Sequence, residues 1–398
     1  MALMTLFIHI TLWIIAIALA IPIMVLFVEC SAALFPNRSK TPATAEPSPP
    51  VTILIPAHDE ASGIQATLEN LKSQLTAIDR IVVVADNCQD DTAEIARQTG
   101  VIVLERYDEE RRGKGYALDY GLRWLDENYP IETVVMMDAD CRVEAGSLQA
   151  IAHLSAAQHR PVQALYLMET PSKPSPKDAV SALAFLVKNW VRPLGLAQFG
   201  LPCLLTGTGM AFPRSILDNA QLASGNIVED MQLGLDLAIA GTAPLFCPQA
   251  RVTGILPQQE GAAKSQRTRW EHGHLKTLLT QVPPLLSAAI RQRRFDLAAL
   301  ALDLSVPPLS LLVMLWLATM AGTVCLGLWA AQWTVALFVG GLGALMLVAI
   351  VAAWVKFGRT QLPIQALLAI PFYVLWKIPV YFKFLVRPEK KWVRTERN

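Results

Sequence analysis

Residues 3–28, LMTLFIHITLWIIAIALAIPIMVLFV, hold no Asp, Glu, Lys or Arg. As a helix, such a run is long enough to cross a bilayer hydrocarbon core of about 30 Å. A cleaved signal peptide is the competing reading. The run has no basic segment before it, is too long for a signal-peptide core and lacks an obvious A-x-A cleavage site, so a permanent anchor is expected. Two more spans are expected near 308–330 and 334–355. A fourth apolar stretch, 362–386, carries Lys377 and Lys383 and is read as a helix or hairpin lying in the membrane interface, with Trp376 and Tyr381 at that depth.

Basic residues orient the spans. Arg38 and Lys40 follow the first, Arg291, Arg293 and Arg294 precede the second, and Lys356 and Arg359 follow the third. The expected organisation is a transmembrane helix over 1–36, with its N-terminus outside, and a Pro-rich linker over 37–50. A cytoplasmic domain over 51–295 follows, with interfacial helices near 179–200 and 273–292. A membrane region over 296–398 ends in a basic cytoplasmic tail. Lys188 and Arg192 interrupt the apolar run 179–205 and are expected to snorkel toward water; a buried core helix is the other reading.

Only 17% of residues are charged and the net charge is +1, so nothing global points to nucleic acid. The six cysteines are scattered without a CxxC pair, which argues against a zinc site or a disulfide framework.

Between the linker and the later spans the pattern alternates. VTILIP, IVVVAD, VIVLER and TVVMMDAD are short apolar runs suited to buried strands, and helical stretches near 62–75 and 113–125 separate some of them. Asp91 is a candidate cap and Gly100 a candidate stop for a helix between the second and third runs. Strand–helix alternation predicts an open parallel sheet, whose ligands bind beyond the carboxyl ends of the strands. Acids recur there: Asp59 and Glu60, Asp86, and Asp138 with Asp140. A solvated acidic turn accounts equally well for Asp59 or Glu60 taken alone. Asp138 and Asp140, two apart on an extended chain, share a face and repel unless a cation lies beside them. Hard oxygen donors of this kind suit Mg²⁺ or Mn²⁺ together with phosphate oxygens.

RRGKGYAL lacks P-loop spacing and TGTGMAF lacks a third glycine, so neither reads as a nucleotide fingerprint. Lys114 still offers a point charge for phosphate, or is a solvated turn lysine. Glu229 and Asp230 open an apolar-periodic helix, either as first-turn acids favoured by the helix dipole or, for a residue at that entrance, as a general base. In KSQRTRWEHGH, a helix puts Gln266, Arg269 and Trp270 on one face and turns Arg267 elsewhere or to the rim. An indole offers a platform for a sugar ring and arginine offers paired donors for phosphate; both are also ordinary interfacial anchors.

Taken in order, these motifs resemble the membrane-embedded family 2 glycosyltransferases, among them cellulose, chitin and hyaluronan synthases and smaller bacterial relatives. The resemblance runs from about Val51 to Leu275 and rests above all on Q-x-x-R-W at Gln266, Arg269 and Trp270. It implies an α/β fold: a Rossmann-like GT-A cytoplasmic domain plus transmembrane and interfacial helices. It implies that Asp86 binds the base or ribose of a UDP-sugar and that Asp138 and Asp140 hold the metal. Asp230 is then the catalytic base, with Lys114, Arg267 and Arg269 near the nucleotide. Gln266, Trp270 and Thr206 then face the acceptor. The usual T-E-D is V-E-D here, and a loop that usually holds Gly-Ser reads Thr206-Gly207-Thr208-Gly209.

The implied activity is inverting, metal-dependent sugar transfer to a membrane-associated polysaccharide or glycolipid acceptor at a bacterial inner membrane, with export subunits as partners. Single transfer to a lipid and a non-catalytic membrane assembly subunit are the alternatives. A transporter would need polar residues inside the spans, where Asp303 is the one obvious candidate and an interfacial position accounts for it.

Overall fold

A computed structural model describes residues 2–36, 49–169, 175–218, 220–223, 228–255, 260–359 and 362–386. Most of the Pro-rich linker, with Arg38 and Lys40, and the basic tail from residue 387 lie outside the described residues.

In chain order the elements are α1 (Ala2–Ala33), β1 (Val51–Ala57), α2 (Ile64–Lys72), β2 (Arg80–Asp86), α3 (Thr92–Gln98), β3 (Ile102–Arg106), α4 (Lys114–Asn128), β4 (Thr133–Met136), β5 (Cys141–Val143), α5 (Ser147–Gln158) and β6 (Val162–Glu169). There follow α6 (Pro176–Leu186), a π-helical turn (Val187–Val191), α7 (Arg192–Gln198), β7 (Met210–Pro213), α8 (Glu229–Ala240), β8 (Leu245–Ile255) and α9 (Glu260–Gln292). Last come α10 (Phe295–Ser305), α11 (Leu309–Ala330), α12 (Thr334–Ala353), a second π turn (Trp354–Gly358), α13 (Ile364–Leu367) and α14 (Ile370–Val386). The chain divides into two compact units, one of residues 1–37, 172–200 and 274–388, the other of 38–171, 201–273 and 389–398.

Among the described residues, the second unit is built on one eight-stranded sheet in the order β3-β2-β1-β4-β7-β6-β8-β5. The apolar runs at β1, β2 and β4 are buried along almost their whole length, as strands covered on both faces must be. β1 pairs in parallel with β2 and β4, and β2 with β3. The sheet is not wholly parallel, which corrects the expectation: β7 runs antiparallel to β4 and β6, and β5 antiparallel to β8. The fourth strand also ends earlier than its apolar run, at Met136, so Asp138 and Asp140 stand in the segment beyond it. The core gathers Leu54, Val82 and Val84 of the sheet with Leu118, Leu122 and Leu125 of α4 and Leu233 and Leu237 of α8.

Among the described residues, the first unit contains three helices long and apolar enough to cross a membrane: Leu3–Ala33, Leu309–Ala330 and Thr334–Gly358. Ala16 of α1 packs with Val335 and Val339 of α12, and Trp316 of α11 joins them. The last carbonyls of α1 have no partner within the helix, and Lys356 supplies one, donating to Leu34 O at 2.7 Å and Ala33 O at 3.0 Å. Arg192 does not snorkel. It is 5% exposed, and its guanidinium donates to Glu29 Oε2 at 2.7 Å and to Asp303 Oδ1 at 2.5 Å. For this residue the buried-helix reading holds, and Asp303 is an interior ion-pair partner. At Gly195 the two helix backbones meet so closely that a Cβ would collide with the Glu29 carbonyl. The π turn precedes Pro193, which has no N–H for an i→i−4 bond; a widened turn accommodates that loss. The stretch 362–386 contributes α13 and α14, and Ser310 and Tyr381 share a hydrogen bond of 2.6 Å between α11 and α14.

Candidate active site

The ends of β1, β2 and β4 converge on one edge of the sheet. β7 runs against β4, so the loop 206–209 that feeds it arrives at the edge where β4 finishes. Gln163 of β6, 2% exposed, pins that loop: its side chain accepts from Thr206 N at 2.8 Å and donates to Thr208 O at 2.9 Å. Thr208 Oγ1 in turn accepts from Asp138 N at 3.0 Å. The two segments are thereby stitched together around the predicted Asp138.

Lys114, at the start of α4, pairs with Asp138 Oδ1 and donates to Gly207 O at 2.6 Å. Gly207 has φ +92°. A Cβ there would lie 3.2 Å from Asp230 Oδ2 and 3.6 Å from Lys114 Nζ, so only glycine lets the loop pass between carboxylate and ammonium. Burial pulls Lys114 down, but the charges of Asp138, Glu229 and Asp230 outweigh it and hold the ammonium above its ordinary range. Burial, then the neighbouring Asp230, pushes the Glu229 carboxyl up to about 7, with Lys114 pulling the other way. Of the predicted residues, Lys114, Asp138 and Asp230 are thus brought together.

Asp138, Asp140 and Cys141 offer three donor atoms all within 4.8 Å of one another. Two carboxylates in this set fit the hard divalent cation expected of them. Asp86 stands at the end of β2, 6% exposed, where Arg106 Nη1 donates to its Oδ1 at 2.6 Å. Burial pushes the Asp86 carboxyl up, against the pull of Arg106. Asp59 does different work. Its Oδ1 accepts from Gln89 N at 2.6 Å and Asp90 N at 3.3 Å, tying the loops after β1 and β2 together.

The Q-x-x-R-W residues lie on α9. Gln266 and Arg267 are buried, and Arg269 and Trp270 half-buried, so Arg267 is not at an open rim. One turn further on, a Cβ at Gly273 would come within 2.7 Å of Val228, the residue directly before Glu229 and Asp230. The helix carrying the motif therefore packs at the mouth of α8. Gln266 Oε1 and Thr206 Oγ1 are buried without a hydrogen-bond partner among the described residues, two polar atoms able to meet an incoming hydroxyl.

Arg106, Gln163, Thr208 and Cys141 were not singled out by sequence. Arg106 had a signal: it closes an apolar run just as Asp86 does, and the parallel register makes the two direct partners.

The family described as Glycosyltransferase like family 2 matches residues 49–273, more than half of the chain. The chain belongs to that family. The chain is 24% identical over 267 residues to poly-beta-1,6-N-acetyl-D-glucosamine synthase of Staphylococcus aureus, covering 64% of this chain and 60% of the relative. Over 114 residues it is 31% identical to the low-salt glycan biosynthesis hexosyltransferase Agl6 of Haloferax volcanii, covering 28% of this chain and 26% of that one. The chain thus spans less than two thirds of each of these relatives. Among solved structures, the mannosyltransferase PcManGT from Pyrobaculum calidifontis, in complex with GDP-Man and Mn²⁺, aligns with a TM-score of 0.51 at 20% identity. That alignment covers 88% of this chain and 99% of the other. The likeness is one of fold, and the fold of the sheet unit is GT-A, joined in this chain to apolar helices of membrane-spanning length.

Proposed function

We propose that this glycosyltransferase moves a sugar from a nucleotide-diphosphate sugar, a UDP-sugar first, to a membrane-held acceptor with inversion, building a β-linked exopolysaccharide at a bacterial inner membrane. The observation that carries the reading is the gathering of Lys114, Asp138 and Asp230 around Gly207 at the carboxyl edge of the sheet. The name of the Staphylococcus aureus relative supports a polymeric product. The catalytic unit faces the cytoplasm, the acceptor is a polysaccharide, and export subunits are its partners.

In this reading Asp86 binds the base or ribose. Its buried pairing with Arg106 fixes one oxygen and leaves the carboxylate oriented. Lys114 carries positive charge to the diphosphate, supported by Arg267 and Arg269 from α9. Asp138 and Asp140 hold Mg²⁺ or Mn²⁺, which when bound supplies Lewis-acid stabilisation of the departing diphosphate. Asp230 receives the proton of the attacking acceptor hydroxyl. Glu229, with its raised affinity for a proton, limits the repulsion that a second full charge beside Asp230 would bring. Trp270 lies under the acceptor sugar, with Gln266 and Thr206 accepting from its hydroxyls. A single displacement from the face opposite the leaving group turns an α-linked donor into a β-linked product.

The test is incubation of the purified protein with radiolabelled UDP- and GDP-sugars, followed by product sizing. A high-molecular-weight β-linked product from one UDP-sugar is expected. A single-sugar lipid product would replace the polymer assignment, and absence of transfer from every donor would end the enzymatic one.

A further inference from the structure

Cys141 begins β5 directly after the Asp138–Asp140 segment and is 2% exposed. Its Sγ does not face the apolar core alone. It lies 3.8 Å from Asp140 Oδ1 and accepts from Thr208 Oγ1 at 3.6 Å. With one oxygen each from Asp138 and Asp140 it closes a triangle whose edges are all within 4.8 Å. An ion near the centre of such a triangle reaches all three atoms with small side-chain adjustments, since metal–sulfur bonds run to about 2.3 Å and metal–oxygen bonds to about 2.2 Å.

We propose that Cys141 is a third donor at this site, so that a thiophilic divalent cation such as Zn²⁺ or Cd²⁺ seats there as a sulfur-bound ion and blocks the enzyme. The inference rests on the reading of Asp138 and Asp140 as the metal-holding pair and adds a donor that distinguishes among metals. Mg²⁺ and Mn²⁺ are satisfied by the oxygens, whereas the softer ions gain from sulfur. The chemistry balances simply. The S–H bond breaks, a metal–sulfur bond forms, and the proton leaves to solvent. A divalent ion seated among the three donors supplies the positive charge that holds the sulfur as a thiolate.

A second grouping, Asp59, Cys88 and Asp90, must be kept out of the measurement. The test therefore uses the full-length protein carrying Cys88→Ser and Cys325→Ser, with and without Cys141→Ser. Mn²⁺ is loaded first and followed by electron paramagnetic resonance, then Cd²⁺ is titrated and the ultraviolet thiolate–cadmium charge-transfer band recorded. The expected result is a band that grows as Mn²⁺ is released. One additional proton should leave per ion when Cys141 is present, and Cys141→Ser should lose both signals while still binding Mn²⁺. Cd²⁺ should also inhibit at least tenfold less strongly once Cys141 is removed. A band that persists in Cys141→Ser, or Mn²⁺ release without a band, overturns the third donor while leaving the metal-holding pair intact. Failure to bind Mn²⁺ in either protein overturns both.

Discussion

Lys114 Nζ donates to the carbonyl oxygen of Gly207 at 2.6 Å, so the first turn of α4 and the loop before β7 share one ammonium. That same charge compensates Asp138, Glu229 and Asp230. Lys114→Met should therefore weaken UDP binding by about tenfold or more, equivalent to at least ~1.4 kcal/mol. Titration calorimetry in the presence of Mn²⁺ measures this. Unaltered affinity would show that the lysine serves the loop alone.

Asp230→Asn should reduce sugar transfer by roughly 10²–10⁴-fold, the usual scale of a lost general base, while UDP affinity is retained. Single-turnover transfer alongside equilibrium binding separates the two effects. Normal turnover would remove Asp230 from the role.

Glu229 gives a pH dependence with a definite sign. Its carboxyl is held at about 7 in the folded chain against an ordinary 4.5, so between those values the folded state binds more protons than the unfolded state. The contribution to stability is complete at low pH and is lost as pH rises toward about 7, with a slope no steeper than ~1.4 kcal/mol per pH unit. Glu229→Gln should flatten that slope in thermal unfolding of the detergent-solubilised protein. Parallel pH profiles for the two proteins would refute the assignment.

Arg106→Met leaves Asp86 buried without its cation. A loss of about 3 kcal/mol or more is expected, since the remaining charge is uncompensated. Adding Asp86→Asn should recover part of it, and the double-mutant cycle reports the coupling directly. Additive effects would mean that the pair contributes nothing as a pair.

In the membrane unit, Arg192→Met strands both Glu29 and Asp303, and about 3–5 kcal/mol should be lost. Gly195→Val should be comparably damaging for a steric reason, because its side chain meets the Glu29 backbone. Thermal unfolding in detergent checks both. A variant at either position that melts with the wild type would mean that α1 and α7 are held together elsewhere.

Much of the sheet unit was legible because buried strands are written as β-branched runs. VTILIP and IVVVAD could hardly be anything else, and the acids after them stood out against that apolar ground. β7 was not legible. MAFP is only four residues long, too short to show a period, and nothing local states the direction in which it pairs. Arg192 was misread because a cation in an apolar run looks the same whether it reaches water or a buried carboxylate. Its two partners lie 163 and 111 residues away in sequence. Cys141 gave no signal at all, since a lone cysteine at a strand start is ordinary core; its interest comes only from what the fold sets beside it.

The pairing of Met136 with Met210 means that the chain visits one rim twice, first on leaving β4 and again on entering β7. Between the two visits the chain first passes through β5, α5 and β6, which belong to the sheet unit, and only after Glu169 makes an excursion whose ends are fixed and whose length is free. α6, the π turn and α7 all fall within that later excursion. A lineage could lengthen, shorten or exchange those helices to suit a different lipid environment or product, while the residues on either side keep their addresses.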